Sequence, residues 1–392
     1  MSPSRILESK MVVTPIKHGA DKKCTMGATI TGLDLNDISN EDLAALREAT
    51  HRYQLVMIKG QHDLDPVKHW ELVTRLDPEA PNVHGHGTVQ QFKKVGGLLS
   101  QRDVPCIPSA PNIRLIGKGY QGDDHYGVKG FTAYGPSNDY HRYPPSEKSF
   151  AAGNTQFQRW HIDAPLYERE PPHFTALRAV KCPDQGDIQV NWDDGSGLSM
   201  TVKPGQTAFF STTQLYDLLS PEEQMMADNS WVEYAPFPYM WIEKCKGRPN
   251  GLGLENEGLE HKIEEMPEWD PAKIKTYPMV WVNPLGQKAL QVHGIAVRKM
   301  FLKPTPTSEV EVVEDVTRIR KLLLSWQERI LRPEYIMMTP VEDGDVQMWD
   351  NWSVFHSAVD YPDKYGARTM HQANLGASDS PVGPVPIPVS VS

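Results

Sequence analysis

The segment Phe157-Gln-Arg-Trp-His-Ile-Asp-Ala-Pro-Leu-Tyr167 sets an imidazole and a carboxylate two residues apart among aromatic and apolar neighbours. On an extended strand, residues i and i+2 project to one face, so His161 and Asp163 would stand side by side. Such a pair either hydrogen-bonds internally as a buried unit or shares a metal ion. A His-x-Asp triplet recurs by chance, so the choice between these depends on a third donor elsewhere in the chain.

That donor is offered by His356, in the stretch Gly344-Asp-Val-Gln-Met-Trp-Asp-Asn-Trp-Ser-Val-Phe-His356. Two imidazoles and one carboxylate (His161, Asp163, His356) bind non-haem Fe(II) on one triangular face and leave the opposite positions open. Zinc accepts the same three ligands plus water. A zinc hydrolase, or a jelly-roll binding module whose metal site is closed by a fourth ligand from His84-Gly-His86, therefore stays open as an alternative. Arg368 follows His356 by twelve residues, one hairpin away. In the run from Arg368 to Leu375, Arg368, Met370, Gln372 and Asn374 share a strand face. Buried polar groups need partners, so that face either meets water or lines a ligand cavity.

The elements that must position these residues are legible in outline. Asn36–Thr50 reads as a helix, capped at Ser39 or Asn40 with Glu41 and Asp42 in its first turn. Leu55–Ile58 reads as a short buried strand, and Asp65-Pro66 opens a second helix. Ser220-Pro-Glu-Glu223 is a strong helix start. Ile319, Leu322, Leu323, Trp326 and Ile330 mark the longest amphipathic helix. Residues 78–150 are rich in Gly, Pro, His and Tyr and read as long loops, and 214–275 as a further loop or lid insertion. From residue 157 onward short β-like runs dominate, with a hairpin turning at Asn283-Pro-Leu-Gly286. The coarse result is a mainly β core with flanking helices, a loose leader over 1–22, and a Pro/Ser-rich tail over 376–392 that reads as disordered.

Bulk properties exclude several function classes. The chain has 392 residues, 39% hydrophobic and 23% charged, with a formal net charge of −10. That length supports a core large enough for a dry site. Scattered basic residues and the acidic balance disfavour a nucleic-acid partner. No window approaches the roughly 18 apolar residues of a membrane span. Cys24, Cys106, Cys182 and Cys245 form neither a CxxC pair nor a disulfide framework, and a cytoplasmic location is expected. Composition leaves a homo-oligomer open.

Taken together, His161-Ile-Asp163, His356 and Arg368 resemble the HxD…H…R signature of Fe(II)/2-oxoglutarate oxygenases in the taurine dioxygenase-like (TauD/TfdA) family. The likeness extends through GATITGLDLND, TYPMVWVNPLGQKALQV and GDVQMWDNWSVFH, and covers most of residues 27–375. It implies a double-stranded β-helix, or jelly roll, as a single catalytic domain over residues 23–375. It also implies a dioxygenase that uses Fe(II), 2-oxoglutarate and O₂, with ascorbate in support. His161, Asp163 and His356 would be the metal ligands, and Arg368 would hold the C5 carboxylate of 2-oxoglutarate, a task suited to its planar fork. Oxidative decarboxylation to succinate and CO₂ would drive hydroxylation of a small molecule, with the protein supplying orientation. One departure stands out: the family often sets a threonine hydroxyl on 2-oxoglutarate, and here Gln185-Gly-Asp-Ile188 aligns with that stretch, so Ile188 takes its place.

Gln372 occupies the position where the taurine enzyme carries a second arginine, and Asn374 faces the same way. Neutral amides argue against a sulfonate and suit a planar ring with adjacent donor and acceptor atoms. The Arg…HQAN arrangement resembles the fungal xanthine dioxygenases, so the expected reaction is xanthine to urate, a step of purine metabolism. Lys118 or Lys129 would face the partly anionic purine. The alternative is the same mechanism on an amino acid or secondary metabolite, whose carboxylate Arg159, Lys118 or Arg102 would receive.

Overall fold

The computed structural model describes residues 10–88, 104–135, 140–184, 186–255 and 258–388. Its centre is a nine-stranded, mostly antiparallel sheet. The order across it is Val12–Pro15, Ala28–Thr31, Leu55–Ile58, Val346–Asp350, Phe174–Lys181, Arg368–Asn374, Ala110–Tyr120 and Cys106–Ile107, with Thr132–Tyr134 paired to Ala110–Tyr120. A smaller sheet of Met337–Met338, Thr207–Ser211 and Val354–Ala358 faces it. The chain passes between the two sheets at Asn351-Trp352-Ser353, so the Asp-Asn-Trp stretch is a corner of the jelly roll rather than a flat hairpin.

Alternation along the strands sorts their side chains into two layers. On the outer face of the large sheet, Ala176, Val346, Met348 and Ala373 pack under Leu43, Leu46, Leu72, Val73 and Leu76 of two helices. The helix Asn40–Tyr53 starts at Ser39, whose hydroxyl accepts the Asp42 N–H at 3.0 Å, and Pro66–Leu76 starts at Asp65 with proline in its first turn. Between the sheets lie Leu55, Leu177, Phe209, Met337, Trp349, Val354 and Met370. Behind the smaller sheet, Trp160, Phe210 and Phe355 join Ile319, Leu323 and Trp326 of the helix Val316–Gln327 in the largest apolar cluster. Full burial of each large side chain contributes about 1.5–3 kcal/mol.

Four expectations need revision. Residues 78–150 are not all loop: Ala110–Tyr120 is an eleven-residue strand of the large sheet, hydrogen-bonded to the Arg368–Asn374 strand. Its outward residues Ile113 and Leu115 are apolar, while inward Arg114 and Lys118 are charged, and two glycines interrupt it, so no simple alternation of apolar residues announces it. The leader carries the edge strand Val12–Pro15, paired with Ala28–Thr31. The tail is packed as far as it is described: Asp379 meets His173 at 2.7 Å, and the Val382 carbonyl accepts the Val282 N–H at 2.9 Å. Within 214–275 lie the capped helix Pro221–Asn229 and the strand Trp231–Tyr234, part of an outer four-stranded sheet. None of the four cysteines is paired. No helix among the described residues is long and apolar enough to cross a membrane.

On the outer face, His371 of the Arg368–Asn374 strand and His69 of the Pro66–Leu76 helix are both fully buried. Burial, with Arg178 nearby, lowers His69 to about 3, and burial among His69, His125 and Arg178 lowers His371 to about 2. Unfolded, each titrates near 6.5. The unfolded chain therefore binds the extra protons, and this contribution to stability is complete above about pH 6.5 and falls as pH drops towards the folded values. The urea midpoint is expected to be lower at pH 5 than at pH 7.5. In His69→Leu, the slope of stability against pH should shrink by about one proton, or ~1.4 kcal/mol per pH unit. An unchanged slope in that variant would remove His69 from the account.

Candidate active site

His161 and His356 face each other across two reciprocal backbone hydrogen bonds, each N–H donating to the other's carbonyl at 3.0 Å. Directly opposed side chains share one side of such a bridge, and the two imidazoles lie with centroids 4.2 Å apart. The segment through His161-Ile-Asp163 is not a regular strand. It makes isolated bridges at Phe157, His161 and Tyr167, and Leu166 and Glu168 take positive φ. Asp163 is fixed instead by Asn351, whose Oδ1 accepts the Asp163 N–H at 2.9 Å and whose Nδ2 donates to the Asp163 carbonyl at 2.8 Å. The same Nδ2 donates to Pro172, and the Asn351 carbonyl accepts from Gln291.

This brings one ligand atom from each of His161, Asp163 and His356 within 4.8 Å of the others. His161 Nδ1 lies 2.7 Å from the Arg159 carbonyl, which can only accept, so Nδ1 carries the proton and Nε2 keeps its lone pair. Burial, helped by His356 and Arg159, lowers His161 to about 3. Burial, helped by Arg159, does the same to His356. Both rings are thus neutral donors near neutral pH. Burial pushes the Asp163 carboxyl up, while His161, the Thr175 hydroxyl at 2.7 Å, Arg114 and Asn374 pull it back. Two neutral imidazoles and a carboxylate converging from one side fit a divalent ion such as Fe(II). His84 is buried and His86 half-buried nearby, yet the ligand group among the described residues is these three, with no fourth protein donor to close it. A second grouping of Asp77, His173 and Asp379 lies at the surface, where His173 and Asp379 already pair.

Arg368 reaches into the same interior from the end of its strand. Its Nη2 donates to Thr207 Oγ1 at 3.3 Å, while Nε is buried without a partner. Burial lowers its pKa, with Tyr361 and Cys182 acting in the opposite direction. Gly205, at φ +72°, allows this approach: a Cβ there would come 2.7 Å from Pro183 Cγ and 3.1 Å from Arg368 Cδ. Ile188, at the position where a hydroxyl was expected, is buried in the apolar core, and Gln185 lies outside the described residues. The hydroxyl beside Arg368 comes from Thr207.

Gln372 stands opposite Arg114 on one neighbouring strand and Leu177 on the other, and interacts with His84. Asn374 is fully buried. Its Oδ1 accepts the Gly85 N–H at 3.3 Å, its Nδ2 lies 3.5 Å from the Thr175 hydroxyl, and it supports the ionised form of Asp163. Lys118 is engaged by Asp360 at 2.8 Å, by the Tyr361 carbonyl and by Asp363, and Lys129 pairs with Asp124 on an exposed hairpin. Arg102 lies outside the described residues. Arg159 points between the rings of Tyr140 and Tyr239, 5.7 and 5.3 Å from their centroids. Trp160 and Ile162 are core, and Tyr167 packs on Phe237 with its hydroxyl accepting the Asp270 N–H.

Asn351, Thr175, Arg114 and Thr207 complete the site and were not singled out from sequence. Asn351 left a signal, a polar residue between the aromatics of Trp-Asp-Asn-Trp. A threonine or arginine at one position of a strand leaves none.

Residues 13–374 match the family model described as taurine catabolism dioxygenase TauD, TfdA family. The chain belongs to the TauD/TfdA dioxygenase family. It is 44% identical over 383 residues to the alpha-ketoglutarate-dependent dioxygenase bsc9 of Alternaria brassicicola, covering 96% of each chain. It is 41% identical to the corresponding dioxygenase fc-dox of Phomopsis amygdali, covering 96% of this chain and 95% of that one. The alpha-ketoglutarate-dependent xanthine dioxygenase xanA of Emericella nidulans is 36% identical, with 95% of this chain and 98% of that one covered. A solved taurine dioxygenase from Burkholderia xenovorans shares the fold at 18% identity and a TM-score of 0.51, over 96% of this chain and 93% of its own. The chain is thus an oxidoreductase of the alpha-ketoglutarate (2-oxoglutarate) class, and the family implies iron, 2-oxoglutarate and O₂ as its reaction partners.

Because both ends of the Asn351 amide hold the Asp163 backbone, Asn351→Ala is expected to weaken Mn(II) or Fe(II) binding about 10–100-fold, the usual effect of losing an outer-shell partner. Titration against a competing chelator measures this. His356→Ala should bind neither ion at the site. Wild-type affinity in Asn351→Ala would show that Asp163 is held by other contacts.

Proposed function

We propose that this dioxygenase holds Fe(II) on His161, Asp163 and His356 and the C5 carboxylate of 2-oxoglutarate on Arg368, and hydroxylates a small molecule in the cavity alongside. The observation that carries the reading is the joint placement of three convergent ligand atoms, from His161, Asp163 and His356, and an arginine whose buried Nε lacks a partner. Iron bound there supplies O₂ activation coupled to decarboxylation of 2-oxoglutarate to succinate and CO₂. The chain's own residues do the rest. The Arg159 carbonyl fixes the His161 tautomer. Asn351 and Thr175 hold Asp163. Thr207 orients Arg368 for a bidentate carboxylate. Phe209 and Trp349 pack on the His356 ring and keep water from it. Ascorbate would keep the iron reduced.

For the substrate, a small metabolite other than a purine is the better-supported reading. Reading a purine edge needs free amides, and the Asn374 amide is spent on Gly85, Thr175 and Asp163. That leaves Gln372 alone. Xanthine is the second reading, favoured by the Emericella relative's name.

Purified protein with Fe(II), ascorbate, O₂ and 2-oxoglutarate is expected to release succinate, and His161→Ala to release none. Arg368→Ala should raise the 2-oxoglutarate concentration for half-maximal turnover by tenfold or more, with Arg368→Lys intermediate, in line with a charge-assisted bond of about 1.5–3 kcal/mol. Adding xanthine should leave succinate release unchanged. Urate formed in step with succinate would instead establish the purine reading, and absence of succinate from freshly iron-loaded protein would remove the oxygenase assignment for this chain.

A further inference from the structure

Arg159 is a cation two residues before His161. Among the described residues no carboxylate pairs with it and no acceptor takes its protons, and its Nε is buried without a partner. Among the described residues it lies against two π-faces, Tyr140 at 5.7 Å and Tyr239 at 5.3 Å. It is nevertheless near enough to the ligand group to lower the basicity of His161 and His356, and it acts likewise on His86 and His293. Two more polar atoms at the same place are buried without partners, the Tyr140 hydroxyl and His293 Nε2. Orphaned buried polar groups are uncommon in native proteins and call for an explanation. Three around one guanidinium, beside a metal-ligand group, describe a polar recess that a ligand would complete.

The charge balance identifies what kind of ligand. When the site is loaded, Asp163 and the two carboxylates of 2-oxoglutarate offset the divalent ion and Arg368; Arg114 sits beside Asp163 and donates to the Gly87 carbonyl, and Arg159 has neither a carboxylate nor a carbonyl among the described residues. Tyr140 and Tyr239 offer it partial compensation as cation–π partners while keeping the planar fork oriented. Of the other cations suggested from sequence, Lys118 is occupied by Asp360 and Lys129 by Asp124, and Arg102 lies outside the described residues.

We propose that Arg159, held between Tyr140 and Tyr239, receives a carboxylate of the substrate and so restricts the enzyme to acidic substrates. This rests on the oxygenase reading above and adds the substrate class. A bidentate carboxylate on Arg159 would anchor the molecule one side chain from His161, with the carbon to be oxidised set by the distance from its acid group. Tyr140 and His293 would supply further hydrogen bonds to the same end.

The test uses the whole protein loaded with Mn(II) and saturating 2-oxoglutarate, so that Arg368 is already engaged and no turnover occurs. Calorimetric titration then compares matched pairs of monocarboxylic acids and their primary amides, from cyclohexanecarboxylic acid up to bicyclic and tricyclic homologues. Wild type is expected to bind the acid of at least one pair tenfold or more tightly than its amide. In Arg159→Gln the ratio should fall to about one, and Arg159→Lys should keep part of it. No acid preference in any pair, or one that survives in Arg159→Gln, overturns the assignment. So does an equal loss in Arg159→Lys accompanied by a lowered melting temperature, since the residue would then be a packing element. Succinate release by the same wild-type preparation with Fe(II) is read separately, so failure of the oxygenase reading is told apart from failure of this one.

Discussion

Two backbone hydrogen bonds between His161 and His356 carry the rest of the arrangement. They join an irregular segment to a strand of the smaller sheet at a single point, and that point sets both imidazoles on one side at stacking distance. A one-residue slip of either chain would turn one ring into the apolar core, where Trp160, Ile162 and Phe355 now lie. The register is thus enforced by the apolar residues that alternate with His161, Asp163 and His356. Asn351 extends the constraint to Asp163 by clasping its backbone from the corner where the chain changes sheets.

The sandwich must also tolerate an interior that is not apolar. Arg114, Gln372, Asn374, Lys118 and Arg368 all project from the inner face of the large sheet, and each is satisfied or nearly so from a different direction: Gly87, His84, Gly85, Asp360 and Thr207. Leaving such groups without partners would destabilise the fold by about 1–3 kcal/mol apiece. The outer face, by contrast, is an ordinary helix-on-sheet layer. Stability is concentrated on that side and around the helix Val316–Gln327, and reactivity in the polar slot between the sheets.

Legibility in the sequence followed that division. Helix starts were readable because caps are local: Ser39, Asp65 and Ser220 each accept the backbone N–H that their position predicts. His161, Asp163, His356 and Arg368 stood out because their types and order are rare in combination, and the fold brings the first three together. The strand Ala110–Tyr120 was not readable, since its inward charges answer to partners on other elements, Arg114 to Gly87 and Lys118 to Asp360. Thr207 was hidden for the same reason, and resemblance directed attention to Ile188 instead. The tail read as disordered because its composition is that of a linker, yet its partners Asp77, His173 and Val282 lie far off in sequence.

Asn374 has a role that its place on a strand does not suggest. One end of its carboxamide holds the backbone of the His84-Gly85-His86 loop, and the other is turned to Thr175 and Asp163. Both ends belong to one rigid planar group, so a shift of the loop rotates the dipole that steadies the carboxylate. One side chain thus joins the loop to the Asp163 carboxylate. Gly85 and Asp163, seventy-eight positions apart in sequence, therefore meet through a single side chain.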